Sequence, residues 1–195
     1  MMMSENQITH PQYIKDGLPV AFPPEILAKV QQLIRRYPEG QQKSALIPLL
    51  HIAQEEMGGH LTVDIMDYVA KLLGIQPIEV YEVATFYSMF YLEKVGNYVL
   101  EVCHTGPCSI VGGEKIRSYL AQTLGIKPGE TTSDGLFTLK EVECLGSCGT
   151  GPVMQVNHEF YEKLTPSRID HILEELRGIK NKDKPQDSKW VEQFC

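Results

Sequence analysis

Residues 98–108 read YVLEVCHTGPC, a strand-like run that leads directly into a turn carrying two cysteines. Large apolar residues recur at every second position from Tyr98 to Val102, which is typical of a half-buried β-strand. Glycine and proline follow Cys103, so the strand is expected to end there. The stretch therefore predicts a β-strand that delivers Cys103 and Cys108 to the turn at its end.

A second stretch repeats this arrangement further along the chain. Residues 137–142 form another strand-like run, and residues 143–152 read ECLGSCGTGP, with Cys144 and Cys148 in a glycine-rich turn. Four residues separate the cysteines of the first pair, three separate those of the second, and thirty-five lie between the pairs. Short spacings let two cysteines of one turn face the same metal, so two such turns predict a four-thiolate site.

The composition excludes several classes of function. The chain has 195 residues, of which 43% are hydrophobic and 22% charged, and its formal net charge of -7 comes with no basic stripe for nucleic acid. Residues 1–20 lack the apolar core of a secretory signal, and no run is long enough to span a membrane. We therefore expect a cytoplasmic protein, in which paired cysteines bind metals more often than they form disulfides. Cys195 lies outside both pairs and is expected to be a free, exposed thiol.

The first half of the chain predicts a small helical bundle. From residue 23 to about residue 89, apolar residues recur at helical spacing. Proline at the first turn, a threonine cap and a glycine after the last turn mark the boundaries. The predicted helices begin after Pro23, near Ser44, after Thr62 and at Pro77. We assign residues 1–22 to an N-terminal segment and residues 23–95 to a helical domain.

The second half predicts an α/β domain over residues 96–178. Strands are predicted at 98–103, 137–142, 153–156 and 160–163. One helix, which ends at Gly125, lies between the first two strands, and another helix follows Thr165. The order is β-α-β-β-α. Residues 179–195 are mostly charged and predict a flexible tail, in which Trp190 and Phe194 either anchor a partner or have no binding role.

The spacing leaves two metal sites open, a structural zinc and a 2Fe-2S cluster. The gaps of four and three residues are wider than the usual zinc knuckle, and the predicted domain has a core without metal. A 2Fe-2S cluster takes two cysteines per iron, which fits two separated pairs, but the spacing is not that of plant-type ferredoxins or Rieske proteins. His104 is expected to point to the opposite side of the strand from Cys103 and to be a neighbour instead of a ligand. His158 is expected in a turn that faces solvent.

Glycines in both turns fit a negatively charged centre, because they let backbone N–H groups approach the sulfurs, although they also suit ordinary turns. These glycines are Gly106, Gly146, Gly149 and Gly151. No phosphate-binding loop, metalloprotease motif or nucleophile motif is present, so we assign no catalytic residue to the chain. A metal centre without a substrate site predicts a relay whose chemistry is done by a partner.

The sequence around the cysteines closely resembles the thioredoxin-like 2Fe-2S subunit of the NADH-oxidising module of respiratory complex I. The resemblance rests on VECLGSC at 142–148, on Gly151-Pro152 and on QVN at 155–157. In the helical half, LLHIAQ at 49–54 and VYEVATFY at 80–87 resemble the same family's N-terminal region. The resemblance covers about residues 23–178.

This resemblance implies a thioredoxin-like second domain in which Cys103, Cys108, Cys144 and Cys148 ligate one 2Fe-2S cluster. It also implies a partner subunit that holds NADH and FMN, a larger iron-sulfur subunit, and a place at the periphery of the inner membrane. The chain would then be an electron-transfer subunit of NADH:quinone oxidoreductase that stores single electrons beside the main path. Related subunits of NAD-reducing hydrogenases and NAD-linked formate dehydrogenases, and a zinc-stabilised interaction module, are the alternatives.

Overall fold

The computed structural model describes residues 20–179 and 189–195. These residues form two compact units, one made of residues 20–93 with 189–195 and the other of residues 94–179. Most of the predicted N-terminal segment, 1–22, lies outside the described residues. Its last residue, Phe22, is buried in the helical unit, where its N–H donates to the hydroxyl of Tyr68 at 3.2 Å.

The helical unit contains the four predicted helices. Thr62 caps the third by accepting a hydrogen bond from the N–H of Ile65 at 3.3 Å, and Gly74 ends it with φ of +65°. The second helix begins after a short 3-10 turn, Gln42–Ala45, so that its first residue is later than the predicted Ser44. The helices are α1 (Pro24–Arg35), α2 (Leu46–Glu56), α3 (Val63–Leu73) and α4 (Pro77–Phe86).

The second unit is a four-stranded mixed sheet with helices in the order β-α-α-β-β-β-α, which has one short helix and one strand more than the predicted order β-α-β-β-α. Its elements are β1 (Tyr98–Cys103), α5 (Gly106–Ile110), α6 (Gly113–Leu124), β2 (Phe137–Val142), β3 (Met154–Val156), β4 (Glu159–Tyr161) and α7 (Pro166–Gly178). The sheet order is β2-β1-β3-β4, with β1 parallel to β2 and antiparallel to β3. Leu100 and Val102 of the central strand pack in one core with Leu120 of α6 and Leu173 of α7.

The first cysteine turn differs from its prediction as a simple turn. Residues Gly106–Ile110 form α5, a short helix that begins with glycine and proline and contains Cys108. Proline suits the first turn of a helix because its missing N–H has no intrahelical partner there. A 3-10 turn, Cys148–Thr150, likewise occupies the second cysteine turn.

The C-terminal residues depart from the predicted flexible tail, 179–195. Residues 180–188 lie outside the described part of the chain, but Lys189–Phe194 form helix α8 in the helical unit. Trp190 stacks on His51 with ring centroids 4.0 Å apart, and Val191 is buried. The charge of the tail predicted disorder, but its few apolar residues share one helical face and find a buried site. In the described residues, no helix is both long and apolar enough to cross a membrane.

Candidate metal centre

The parallel pairing of β1 and β2 brings the two cysteine turns to the same end of the sheet. Cys103 is the last residue of β1 and lies in register with Val142, the last residue of β2. Helix α5 packs against the 3-10 turn that begins at Cys148. The four predicted cysteines therefore lie in one region. Electrostatic repulsion from Cys148 contributes to raising the pKa of Cys108, and repulsion from Cys103 contributes to raising the pKa of Cys148.

Cys103 and Cys108 form the buried half of this site. Each is 2% exposed, and both pack with the buried side chain of Val153 and the half-buried Leu145. The sulfur of Cys103 lies 3.5 Å from the hydroxyl oxygen of Thr105. These two thiols are thus shielded from water by apolar neighbours, while the sulfur of Cys103 keeps a polar partner.

Cys144 and Cys148 form the exposed half. Their sulfurs lie 3.4 Å apart, and both cysteines are free. A disulfide would need about 2.05 Å, whereas two thiolates at about 2.3 Å from one tetrahedral metal stand roughly 3.8 Å apart. The two sulfurs are therefore too far apart for a disulfide and close enough together to face the same metal atom. Among residues 20–179 and 189–195, no group of three or more His, Cys, Asp or Glu side chains is placed to hold one ion.

Burial and hydrogen bonds shift the pKa values of three of the cysteines. Burial by itself raises the pKa of Cys103, but hydrogen bonds from Thr105 and Leu145 to its sulfur outweigh burial and lower the pKa. Burial and the adjacent sulfur of Cys103 raise the pKa of Cys108. The hydrogen bond with Cys144 raises the pKa of Cys148. N–H groups directed at sulfur stabilise the thiolate form that metals require.

The expected role of the turn glycines is met in part. The N–H of Gly146 donates to the sulfur of Cys144 at 3.4 Å, and Gly146 has φ of +80°, a conformation that favours glycine. Gly151 acts differently, because a Cβ at this position would lie 3.3 Å from the sulfur of Cys108. Gly106 and Gly149 have open space around their Cα atoms. The sequence did not single out Gly113, where a Cβ would lie 2.7 Å from the carbonyl oxygen of Cys108.

We expect Gly113→Ala to destabilise the sheet unit by about 1–3 kcal/mol, because the added methyl must displace the Cys108 backbone. Thermal unfolding followed by circular dichroism measures this loss. Gly106→Ala is the matched control, since its new Cβ meets nothing within 4 Å. Equal melting temperatures for the two variants would contradict the close packing of Gly113 on Cys108.

The two histidines considered near the site both have exposed side chains. His104 is exposed, and its Nε2 lies 3.5 Å from Glu143 Oε1. His158 is exposed in the turn between β3 and β4. Beside the buried cysteines, Ile110 and Val111 at the end of α5 are 86% and 54% exposed. An apolar surface thus adjoins Cys108.

One group of residues near the cysteines was missed from the sequence. The hydroxyls of Ser147 and Thr150 both contact one carboxylate oxygen of Glu162, which follows β4. Ser147 and Thr150, three positions apart in one turn, could have indicated such a contact from the sequence. The carboxylate itself could not be found, because it reaches the turn only through the pairing of β3 with β4.

The chain is similar in sequence to a family of known proteins. A sequence model of the thioredoxin-like [2Fe-2S] ferredoxin family matches residues 30–177. A subunit of the NADH-quinone oxidoreductase of Rickettsia conorii is 43% identical over 157 residues, which cover 80% of this chain and 94% of that protein. The mitochondrial NADH dehydrogenase [ubiquinone] flavoprotein 2 of Dictyostelium discoideum is 44% identical over 162 residues, which cover 83% of this chain and 66% of that protein.

A solved structure shares the fold at lower sequence identity. A crystal structure of an NAD+-reducing [NiFe]-hydrogenase in the air-oxidized state superposes with a TM-score of 0.61 and 21% identity. The match covers 77% of this chain and 25% of the hydrogenase chain. The likeness concerns the fold alone.

Proposed function

The chain belongs to the thioredoxin-like [2Fe-2S] ferredoxin family, and we propose that it binds one [2Fe-2S] cluster through Cys103, Cys108, Cys144 and Cys148. The observation that carries this proposal is the pairing of the four free cysteines at the ends of β1 and β2. A [2Fe-2S] cluster takes two cysteines per iron, so each turn supplies one iron. The buried pair would hold one iron and the exposed pair the other.

The surroundings of the cysteines fit this group. The N–H of Gly146 donates to the sulfur of Cys144, and the hydroxyl of Thr105 lies 3.5 Å from the sulfur of Cys103, so polar groups offset negative charge at two of the four sulfurs. The small residues Gly113 and Gly151 leave room beside Cys108. When bound, the cluster accepts and returns one electron at a time. The chain's own part is to fix the ligands, exclude water from one pair and supply hydrogen-bond donors.

The parent enzyme in this proposal is NADH:quinone oxidoreductase. The Rickettsia relative carries that name and matches along almost its whole length, whereas the hydrogenase chain is far less similar in sequence. In this enzyme the chain is an electron-transfer subunit without an active site of its own. A partner subunit holds NADH and FMN, and a larger iron-sulfur subunit continues the path. The chain is thereby peripheral to the membrane and works on the cytoplasmic side.

Metal analysis of the anaerobically purified full chain tests the cluster. We expect a reddish-brown protein that contains iron and acid-labile sulfide in equal amounts and becomes paramagnetic after reduction by one electron. A zinc-stabilised module would be colourless and would hold zinc without sulfide. A colourless, zinc-containing chain would overturn the proposal.

Co-expression with the NADH- and FMN-binding subunit tests the partner. The two chains are expected to be purified together, and NADH is expected to bleach the visible absorbance of the cluster. The same mixture without the partner is the control, because this chain has no nucleotide site in its motifs. If the chains do not associate, or if NADH leaves the cluster oxidised in the complex, the assignment to this enzyme is wrong.

A further inference from the structure

The carboxylate of Glu162, which lies outside the second cysteine turn in the sequence, forms hydrogen bonds with side chains of that turn. Ser147, which lies between Cys144 and Cys148, donates a hydrogen bond to Glu162 Oε1. Thr150 Oγ1 donates to the same carboxylate oxygen at 2.6 Å and lies 2.7 Å from Ser147 Oγ. The three side chains lie within hydrogen-bond distance of one another, and the two hydroxyl protons both point to the carboxylate. Two hydroxyls on one carboxylate oxygen make a charge-assisted contact, which is stronger than one between neutral groups.

The backbone on either side of Glu162 continues this attachment. The N–H of Lys163 donates to the carbonyl of Thr150 at 2.7 Å, and the N–H of Leu164 donates to the carbonyl of Pro152 at 3.1 Å. Lys163 has φ of +49°, in the left-handed region that a lysine seldom adopts. Lys163, which links the chain after β4 to the cysteine turn, therefore has an unfavourable backbone conformation.

The two cysteines of the exposed turn are less tightly packed than those of the buried pair, although Leu145 between them contacts the apolar cluster. Cys144 and Cys148 are both exposed, whereas Cys103 and Cys108 are fixed by burial in the apolar cluster around Val153. Side chains that are not packed depend on hydrogen bonds for a fixed position. The hydrogen bonds from Ser147 and Thr150 lower the pKa of Glu162, so the group carries a negative charge at neutral pH.

We infer that Glu162 is the positioning residue of the second cysteine turn: it holds Ser147 and Thr150 so that Cys144 and Cys148 keep the geometry of one iron. The inference rests on the proposed cluster and names a residue of this chain outside the ligands. The carboxylate has a second effect, since a fixed negative charge beside the turn favours the oxidised form of the centre, which is the less negative one. Geometry and charge can be separated by substitution.

Two variants of the full chain separate them. Glu162→Ala removes the acceptor of both hydroxyls, and we expect the cluster to be released to an iron chelator about tenfold faster than from the unaltered chain. Glu162→Gln keeps an oxygen acceptor and removes the charge, so we expect release close to that of the unaltered chain but a higher midpoint potential. Glu174→Gln is the control, because it removes one exposed charge of the same unit from helix α7.

The inference fails if Glu162→Ala releases iron as slowly as Glu174→Gln. The charge effect is refuted if Glu162→Gln leaves the midpoint potential unchanged. Hydrogen exchange of the Lys163 amide in iron-free protein supplies a reading that does not depend on the cluster, and Glu162→Ala is expected to speed it. A chain that never binds iron would refute the proposed function, while this exchange measurement would still decide whether Glu162 holds the turn.

Discussion

Chains in which Cys108 or Cys148 is replaced by serine are expected to lose the cluster, with an iron content lower by more than about tenfold. Changes outside the ligand shell already cost about 10–100-fold in metal affinity, and these substitutions remove a ligand itself. The two positions represent the buried pair and the exposed pair. Iron, acid-labile sulfide and visible absorbance measured on anaerobically purified protein give the result.

Cys195→Ser is the matched control for these variants. Cys195 lies in the helical unit, away from the cysteine turns in sequence, and is free like the other four. We expect this variant to contain as much iron as the unaltered chain. Circular dichroism of all three proteins shows whether the fold is kept. Full iron content in both the Cys108→Ser and Cys148→Ser chains would refute the assignment of the ligands.

Ending the chain after Ser188 is expected to destabilise the helical unit by on the order of 3 kcal/mol, because one buried aliphatic side chain and an aromatic stack are lost. Val191 of α8 is 2% exposed, and Trp190 stacks on both His51 and Phe194. Arg36 also loses its contacts with the carbonyls of the last two residues. For a domain of this size such a loss lowers the melting temperature by roughly 10–20 °C.

Hydrogen exchange of peptides from α1 and α2, together with thermal unfolding, measures this effect. The control is a full-length chain with Glu192→Ala and Gln193→Ala, which changes exposed residues of the same helix. That variant should exchange as slowly as the unaltered chain. If the shortened chain is as protected as the control, the packing of Val191 and Trp190 adds nothing to the stability of the unit.

Local signals in the sequence predicted the elements well. The cap at Thr62, the stop at Gly74 and the cap at Thr165 are each made by the predicted residue. Such signals succeed because capping depends on residues within one turn of each other. Helix α8 was missed for the opposite reason. A six-residue helix is unstable by itself and forms because the helical unit covers its apolar face.

The same distinction applies to the aromatic residues. Phe86 and Phe90 belong to one aromatic run, but the structure separates them, because Phe90 is buried whereas Phe86 is 79% exposed. Trp190 stacks on His51 inside the helical unit. Hydrophobicity and spacing are alike for these residues, so only the packing of α2, α4 and α8 separates core from surface.

The donor set of the site could be read from the amino-acid order alone. Two cysteine pairs of fixed spacing, each after a strand, are properties of neighbouring residues, and soft thiolates limit the metals that they bind. The assembly of these donors depends on the folded chain. The register of β1 with β2 brings the pairs together, and the approach of Gly113 and the reach of Glu162 join chain segments far apart in sequence. Contacts of this kind are fixed by packing and strand pairing, which no local pattern encodes.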